Sequence, residues 1–273
     1  MVRLKCDDLT IEGNSVSGVS TYLRIGELDL IFDLGRCPIS FIGTNHVFIS
    51  HFHLDHYFGL PIYISQRWMA KIAPGQIFVP ADGVEQLSQI LNQISRLECG
   101  SIWNYELTPV QPGDRIEFRN NLVAYVLPLR HRVTSVGYLV CEVRQKLKPE
   151  FHHLEGSEIA ELRRLGVEVT HSIELPKVAY LGDTNTFPLD AHPLLSTSPI
   201  LICECTFIQP DDQQRAEETM HFCLDQLVEI IPALQSRHIV LTHFSRRYDE
   251  ATIRKTIASH FTPADQDRLK LII

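Results

Sequence analysis

The sequence predicts a layered α+β protein in which helices cover a sandwich of β-sheets. Strand-like apolar runs dominate the first third of the chain, and strands and helices alternate in the remainder. Hydrophobic residues make up 44% of the 273 residues and charged residues 21%, so the chain can bury a sizeable core. No repeat or low-complexity tract interrupts it, and we expect residues 1–273 to form one domain.

In the first hundred residues, short apolar runs predict strands and two longer segments with helical periodicity predict helices. Val47, Phe48 and Ile49 have the character of a buried strand that ends at Ser50. Asp82 is a plausible N-cap for the second helix. The predicted strands are 22–25, 28–33 and 47–49, and the predicted helices are 58–71 and 82–97.

The later part of the chain alternates between apolar runs and helical patterns. Gly166 is typical of a helix C-terminus, and Pro232 lies near the end of a helix that we expect to begin at His221. The predicted strands are 123–127, 136–143, 178–181, 200–203 and 239–241. The predicted helices are 155–165, 221–234 and 250–260.

Four polar residues directly follow the strand at 47–49, namely His51, His53, Asp55 and His56. Sites in α/β sheets are built beyond strand ends, and imidazole and carboxylate groups suit a borderline divalent cation such as zinc. His51 and His53 can share one face of an extended segment while the other two turn elsewhere, so the spacing suits two metal ions. A histidine-rich surface loop is the alternative, and the preceding buried strand argues against it.

Three more potential ligands follow apolar runs later in the chain: His131, Asp183 and His243. Taken singly, each has an ordinary explanation. His131, between Arg130 and Arg132, could belong to a basic phosphate-binding loop, and Asp183 could be a turn residue. The ordered set is what indicates a metal site.

Composition and charge limit the class of protein only broadly. The net charge of −8 argues weakly against a uniformly basic nucleic-acid binder. The charged segment 1–8 does not resemble a signal peptide, and no apolar run approaches the ~20 residues of a membrane span.

Seven cysteines, an odd number, indicate free thiols in a reducing compartment, and we expect a cytoplasmic protein without membrane contact. Cys203 and Cys205 could form a second metal site, but we expect two small buried side chains on one strand face.

The segment His51-x-His53-x-Asp55-His56 resembles the signature of the metallo-β-lactamase superfamily. The neighbouring Ser50 and Gly59-Leu-Pro61 resemble more specifically the ribonuclease Z branch, which removes the 3′ trailer from precursor tRNA. The segments around His131, Asp183 and His243 are similar, in the same order, to the later ligand motifs. The resemblance implies the metallo-β-lactamase fold, a four-layer αββα sandwich.

The resemblance also implies a ligand set for two divalent ions. His51, His53 and His131 would hold one ion, Asp55, His56 and His243 would hold the other, and Asp183 would bridge them. Zinc is expected, although manganese or iron would suit the same ligands. Asp55 could also accept a proton from the attacking water.

Three further residues receive catalytic or binding roles by the same resemblance. Glu204 and His221 would form the pair that protonates the leaving oxygen, although Cys205 and Cys223 depart from the usual neighbours. Arg247 would bind a phosphate through the two N–H groups of its planar guanidinium. The alternatives are a helix-capping surface histidine at position 221 and a surface salt bridge at position 247.

The substrate is less well defined than the chemistry. Bacterial ribonuclease Z carries a long Gly/Pro-rich arm for tRNA between the motifs of His131 and Asp183, and this chain has a compact stretch with one helix there. We expect a dinuclear phosphodiesterase acting on RNA, with precursor tRNA as the first substrate to consider. A small-molecule phosphodiesterase, for instance for cyclic nucleotides, and a non-catalytic metal-binding scaffold are the alternatives. A homodimer is expected by resemblance alone.

Overall fold

A computed structural model describes all 273 residues and contains fifteen strands in two sheets. The strands are β1 (Val2–Cys6), β2 (Leu9–Ser17), β3 (Ser20–Ile25), β4 (Leu30–Leu34), β5 (His46–Phe48), β6 (Gln76–Pro80), β7 (Glu106–Val110), β8 (Arg115–Arg119), β9 (Leu122–Leu129), β10 (Ser135–Leu147), β11 (Thr170–Tyr180), β12 (Ile200–Glu204), β13 (His238–Thr242), β14 (Phe244–Ser245) and β15 (Leu269–Leu271).

Each sheet combines antiparallel and parallel pairing. The first has the order β1-β2-β3-β4-β5-β6-β7, with β14 added to β2, and the second has the order β15-β13-β12-β11-β10-β9-β8. Strands β4 to β7 are parallel in the first sheet, as are β11, β12, β13 and β15 in the second. Parallel strands that end at the same edge give each sheet a place where polar side chains can converge.

The chain contains eight helices. They are α1 (Leu54–Tyr57), α2 (Leu60–Met69), α3 (Val84–Cys99), α4 (Gly156–Arg164), α5 (Gln213–Thr219), α6 (Leu224–Ile230), α7 (Glu250–His260) and α8 (Pro263–Arg268). None of them is long and apolar enough to cross a bilayer.

Three apolar clusters show that the layers follow the order helix, sheet, sheet, helix. The inner cluster of 24 buried residues combines both sheets, and the Phe32 ring on β4 stacks on Tyr180 of β11 at 4.8 Å between ring centroids. The first sheet packs its outer face on α2 and α3, where Leu60 and Leu91 are fully buried. The second sheet packs on α6 and α7. The predicted four-layer αββα fold is therefore confirmed.

Most predicted elements are present, with two local corrections. Asp82 does not cap α3, because a 3₁₀ turn over Ala81–Gly83 precedes the helix and its N-cap residue is Gly83. His221 does not begin a helix, because α6 starts at Leu224 with Cys223 as its cap. His221 lies instead in the connection between α5 and α6.

The cysteines form no disulfide, and all seven thiols are free. Cys203 and Cys205 are fully buried in the apolar cluster beneath α6 and α7, as expected for small core side chains. The stretch between β10 and β11 contains one helix, α4, whose N-cap Glu155 forms a reciprocal capping box with Glu158.

Candidate metal centre and active site

The predicted site residues lie beyond the carboxyl ends of the parallel strands. Glu204 is the last residue of β12, and His243 directly follows β13. Asp183 follows β11 by three residues, and His51 follows β5 by three. Because β4, β5, β11, β12 and β13 end at this edge, side chains far apart in sequence meet there.

One group of ligand atoms is formed by His51, His53, His131 and Asp183, all within 4.8 Å of one another. Nδ1 of His53 lies 3.1 Å from Nε2 of His51 and 3.2 Å from Nε2 of His131. His51 is fully buried, whereas His53 is partly exposed at the mouth of the site.

A second group is formed by Asp55, His56 and His243. Nε2 of His56 lies 3.3 Å from Nε2 of His243. Oδ2 of Asp55 lies 3.6 Å from the first of these nitrogens and 3.4 Å from the second. The two groups are those expected for the two ions.

Asp183 lies between the two groups and is almost fully buried. Its Oδ2 is 3.6 Å from Nε2 of His51 in the first group and 3.4 Å from Nε2 of both His56 and His243 in the second. A carboxylate in this position can be shared by two cations. The structure thus brings together all seven predicted ligands.

The ionisation of these groups suits cation binding. Burial and the neighbouring charge of His56 keep the pKa of His51 well below its usual range, and burial also lowers the pKa of His53 and of His131. Rings with lowered pKa are neutral near pH 7, the state in which imidazole binds a metal.

The pKa values of His56 and Asp183 are shifted in the directions that favour the charged forms of these two side chains. Burial opposes the charged form of His56, but the carboxylates of Asp183 and Asp33 raise its pKa well above the usual range. Burial also opposes ionisation of Asp183, yet the imidazoles of His243 and His56 hold its pKa well below the usual range. The buried carboxylates therefore favour positive charge at this position. A bound cation would supply that charge, and five imidazoles and two carboxylates are ligands that suit divalent cations.

Asp33, which was not singled out from the sequence, orients one ligand of each group. Its fully buried carboxylate accepts hydrogen bonds from Nδ1 of His56 and from the Ser50 backbone N–H and hydroxyl, each at 2.7 Å. Ser50 Oγ in turn lies 2.9 Å from Nδ1 of His51. With Nδ1 engaged, both rings present Nε2 to the site, as outer contacts of metal ligands commonly ensure. The sequence did contain an indication of this role, because Asp33, like the candidate ligands, directly follows a buried apolar run.

Two backbone positions at the site lie in the left-handed region. His243 has φ = 60° and Asp33 has φ = 52°. Such conformations cost free energy for residues other than glycine and persist where surrounding contacts fix them. The backbone N–H of His243 donates to Ser15 Oγ at 3.0 Å, which anchors this ligand to the first sheet.

His221 and Glu204 form the expected pair next to the ligand groups. Nδ1 of His221 lies 2.9 Å from Oε1 of Glu204, which is buried and also accepts the Thr184 backbone N–H at 2.8 Å. Burial opposes the charged form of His221, but the Glu204 carboxylate and the nearby Asp183 raise the pKa of the imidazole to about 9. These contacts favour the protonated form of His221.

Asp55 is better suited to bind a cation than to accept a proton. Burial raises its pKa, but the neighbouring imidazoles of His243 and His56 outweigh burial and lower the pKa to about 2. Oδ2 also accepts the Gly18 backbone N–H at 2.8 Å. A carboxylate with so low a pKa is a weak base near pH 7.

Arg247 lies outside the two ligand groups and forms an ion pair. Its Nη1 is 2.9 Å from Oδ1 of Asp212, and its side chain remains half-exposed. Both residues line a polar depression of about 540 Å³ whose other charged residues are Arg132, Arg215, Asp211 and Glu218. The salt bridge of the alternative interpretation is thus present, and the guanidinium faces a depression with equal numbers of arginines and carboxylates.

The comparisons with known proteins agree with this geometry. A family described as "Beta-lactamase superfamily domain" matches residues 38–244. The chain is 35% identical over 262 residues to tRNase Z TRZ2, chloroplastic, from Arabidopsis thaliana, covering 93% of this chain and 72% of the relative. It is 32% identical to tRNase Z TRZ1 of the same organism, covering 94% of this chain and 92% of the relative. The crystal structure of the short form of human tRNase Z superposes with a TM-score of 0.61 at 19% identity, over 88% of this chain and 93% of that one, which shows a shared fold.

Proposed function

Because the chain belongs to the β-lactamase superfamily and to its ribonuclease Z branch, we propose that it is the metal-dependent endoribonuclease that removes 3′ trailers from precursor tRNA. The observation that carries this proposal is the pair of His221 and Glu204, whose Nδ1 and Oε1 are 2.9 Å apart, beside two adjoining groups of candidate metal ligands. Phosphodiester cleavage requires both parts, because a ribose oxygen leaves poorly without a proton.

The metal content is the first part of the proposal. His51, His53 and His131 would hold one ion and Asp55, His56 and His243 the other, with Asp183 shared. Nitrogen and oxygen ligands of this kind suit zinc, and when bound the ions would lower the pKa of the attacking water and stabilise charge on the phosphoryl oxygens. Elemental analysis of protein purified without chelator should find two equivalents of zinc per chain. A stoichiometry near zero with full activity would refute this part.

The remaining steps belong to side chains of this chain. Nδ1 of His221 donates to Glu204, so the ring is oriented and its Nε2–H is free to protonate the leaving oxygen. Glu204 keeps the ring charged until that proton is transferred. Arg247, with the arginines of the same depression, would bind a phosphate of the RNA backbone.

Precursor tRNA is favoured over a small substrate by the relatives. The chain spans 92% of the length of tRNase Z TRZ1 from Arabidopsis thaliana. A protein with that name therefore has little sequence beyond the part that this chain matches. The absence of a Gly/Pro-rich arm is the feature that favours a small phosphodiester. Cleavage of a tRNA carrying a 3′ trailer, measured beside hydrolysis of cyclic nucleotides, separates the two substrates. A scaffold without catalysis would bind metal and cleave neither these substrates nor bis-p-nitrophenyl phosphate.

A homodimer is the second part of the proposal. Leu54 on α1, Phe58 directly after α1 and Ile62 on α2 lie in or close to the metal-binding segment 51–56, and each is more than half exposed. Three large apolar side chains in this arrangement favour a protein contact. Light scattering after size-exclusion chromatography should give twice the monomer mass, and Phe58→Asp should reduce it to the monomer mass. A monomeric wild-type protein would refute the dimer.

The compartment is the third part. We propose a reducing, cytoplasmic location, which the seven free thiols support. The name of one relative places that protein in the chloroplast. Fractionation of cells expressing the chain with a C-terminal tag should recover it in the cytosolic fraction, and recovery in an organelle would contradict this location.

A further inference from the structure

We propose that Thr206 is a positioning residue that connects the proton-donor pair to the metal centre, because its hydroxyl accepts a hydrogen bond from Nδ1–H of His243 and donates a hydrogen bond to Glu204. The inference rests on the proposed function, since it assumes that His243 binds a cation through Nε2. Thr206 lies two residues beyond Glu204, in the connection that follows β12.

The contacts of the hydroxyl carry the inference. Thr206 Oγ1 lies 2.5 Å from Oε2 of Glu204 and 3.0 Å from Nδ1 of His243. All three residues are at most 2% exposed, so water is not available to replace these partners. Nδ1 of His221 is 3.3 Å from the same hydroxyl but only 2.9 Å from Oε1 of Glu204, and its proton therefore goes to the carboxylate.

The positions of the protons follow from the donors and acceptors available. An ionised carboxylate only accepts, so the single hydrogen of the Thr206 hydroxyl goes to Glu204. The hydroxyl can then only accept from His243, whose ring must carry its proton on Nδ1. That tautomer leaves Nε2 of His243 unprotonated towards His56, Asp55 and Asp183, as metal binding requires.

Both oxygens of Glu204 are therefore in use. Oε1 accepts from His221 and from the Thr184 backbone, and Oε2 accepts from Thr206. One carboxylate thus orients the proton donor directly and a metal ligand through the threonine. A proton donor and a metal centre that share one anchor keep a fixed separation, which cleavage of a single phosphodiester requires.

The backbone holds the hydroxyl in register with His243. The Thr206 carbonyl accepts the Ser245 N–H at 3.0 Å, and the Cys205 N–H donates to the Thr242 carbonyl at 2.9 Å. The connection after β12 is therefore tied on both sides of His243. A β-branched residue, stiff about χ1, keeps its hydroxyl in place there.

Removal of the hydroxyl leaves the Nδ1–H of His243 buried without an acceptor. Such a group is costly, so the ring would turn or shift its proton to Nε2, and the second ligand group would be weakened. Loss of an outer contact of this kind typically costs about 10- to 100-fold in metal affinity. Serine retains the hydroxyl, whereas valine retains the shape without it.

The test compares zinc affinity, measured by competition with a chromogenic chelator, in wild type, Thr206→Val and Thr206→Ser. Thr206→Val should bind one of the two ions about 10- to 100-fold more weakly, and Thr206→Ser should stay within a few-fold of wild type. Thr242→Val is the matched control: its buried hydroxyl, one residue before His243, donates only to the Cys203 carbonyl. This control should bind zinc as wild type does.

Two results would overturn the inference: wild-type zinc affinity in Thr206→Val, or an equal loss in Thr206→Ser. If Thr206→Val does not fold, Thr206→Ala replaces it. This variant should also bind one zinc ion more weakly, and wild-type affinity in it would overturn the inference. Failure of the proposed function is distinguishable, because it would appear as a wild-type protein that binds no zinc or leaves RNA intact. The affinity measurement itself does not depend on the RNA substrate.

Discussion

Asp183 lies between the two ligand groups and is close to both. Its carboxylate is buried among five imidazoles, and His243 and His56 hold its pKa well below the usual range. In the proposed centre its negative charge would reduce the repulsion between the two bound cations. No other carboxylate lies within the first ligand group.

Asp183→Ala should therefore lose at least one metal ion and most of the turnover. Metal activation supplies several kcal/mol of transition-state stabilisation, and about 1.4 kcal/mol corresponds to tenfold in rate, so a fall of roughly 10³-fold is expected. Elemental analysis and the hydrolysis rate of bis-p-nitrophenyl phosphate check this. The control is Asp190→Ala, an exposed aspartate outside the cluster. Turnover near wild type in Asp183→Ala would reduce Asp183 to a turn residue.

His221→Ala tests the proton donor. A ribose oxygen needs a proton to leave and p-nitrophenolate does not, so cleavage of RNA should fall about 10²- to 10⁴-fold while p-nitrophenyl esters are largely spared. Both metals should remain bound. His152→Ala, which changes an exposed histidine away from the site, should alter neither rate. An equal loss on both substrates would instead place His221 in metal binding or folding.

The pH dependence of RNA cleavage provides a second test of the same residue. The pKa of His221 is raised to about 9, and a general acid acts in its protonated form. The rate should therefore be sustained below that pH and fall as the pH rises through about 9. His221→Ala should lack this alkaline decline. A decline of the same size in the variant would assign it to another group.

At the scale of elements, the metal-binding segment fits tightly against the end of β4. A Cβ atom added at Gly35 would lie 1.8 Å from the backbone oxygen of Asp55, so the segment leaves no space for a side chain. Glycine is therefore needed here because another backbone approaches closely. This contact places Asp55 and His56 relative to the first sheet.

Gly35→Ala should destabilise the protein and weaken metal binding together. Overpacking of this kind typically costs about 1–3 kcal/mol of unfolding free energy, and backbone in the metal-binding segment must move to relieve it. Urea unfolding with and without zinc measures both effects. Gly43→Ala is the control, because nothing lies within 4 Å of its added Cβ. Equal unfolding curves for Gly35→Ala and wild type would contradict the packing argument.

The elements that the sequence predicts well are those with strong apolar periodicity. Helix α7 begins at Glu250 and ends at His260, as predicted, because Asp249 caps it and its apolar face is regular. Strands β1 and β2 were not predicted over 2–6 and 9–17, since Gly13 and Ser15 stand on the buried face of β2, where apolar residues would continue the alternation. Their partners across the sheet decide the conformation there.

The seven candidate ligands could be singled out from the sequence, but the residues that orient them could not. All seven follow apolar runs, which a single sequence reveals. The hydroxyl of Thr206 and the carboxylate of Asp33 act through contacts with residues as distant in sequence as His243 and His56. Their roles depend on the fold. The placement of His221 in a helix was wrong because the chain turns at Met220, which adopts a left-handed conformation with φ = 57°.

At the scale of the whole molecule, we propose that residues 1–273 unfold as one unit. The inner cluster joins the two sheets, and Phe48 of β5 packs on Tyr138 of β10 at 5.1 Å between ring centroids. The metal centre also draws ligands from both halves of the chain. Thermal unfolding followed by circular dichroism and fluorescence should therefore show one coincident transition.

Zinc should raise the stability of that single unit. Free metal at 100 times its dissociation constant adds about 2.7 kcal/mol for one site, and a chelator should remove this contribution. Two separate transitions, only one of which responds to the chelator, would indicate that the chain contains two domains.

The most direct test of the central proposal is cleavage of a precursor tRNA with a 3′ trailer by the zinc-loaded protein. A single endonucleolytic cut should release the trailer. This cleavage should be abolished by chelation, return when zinc is restored and be strongly reduced in Asp183→Ala. A fully metallated protein that leaves this RNA intact while hydrolysing a cyclic nucleotide would contradict the proposal.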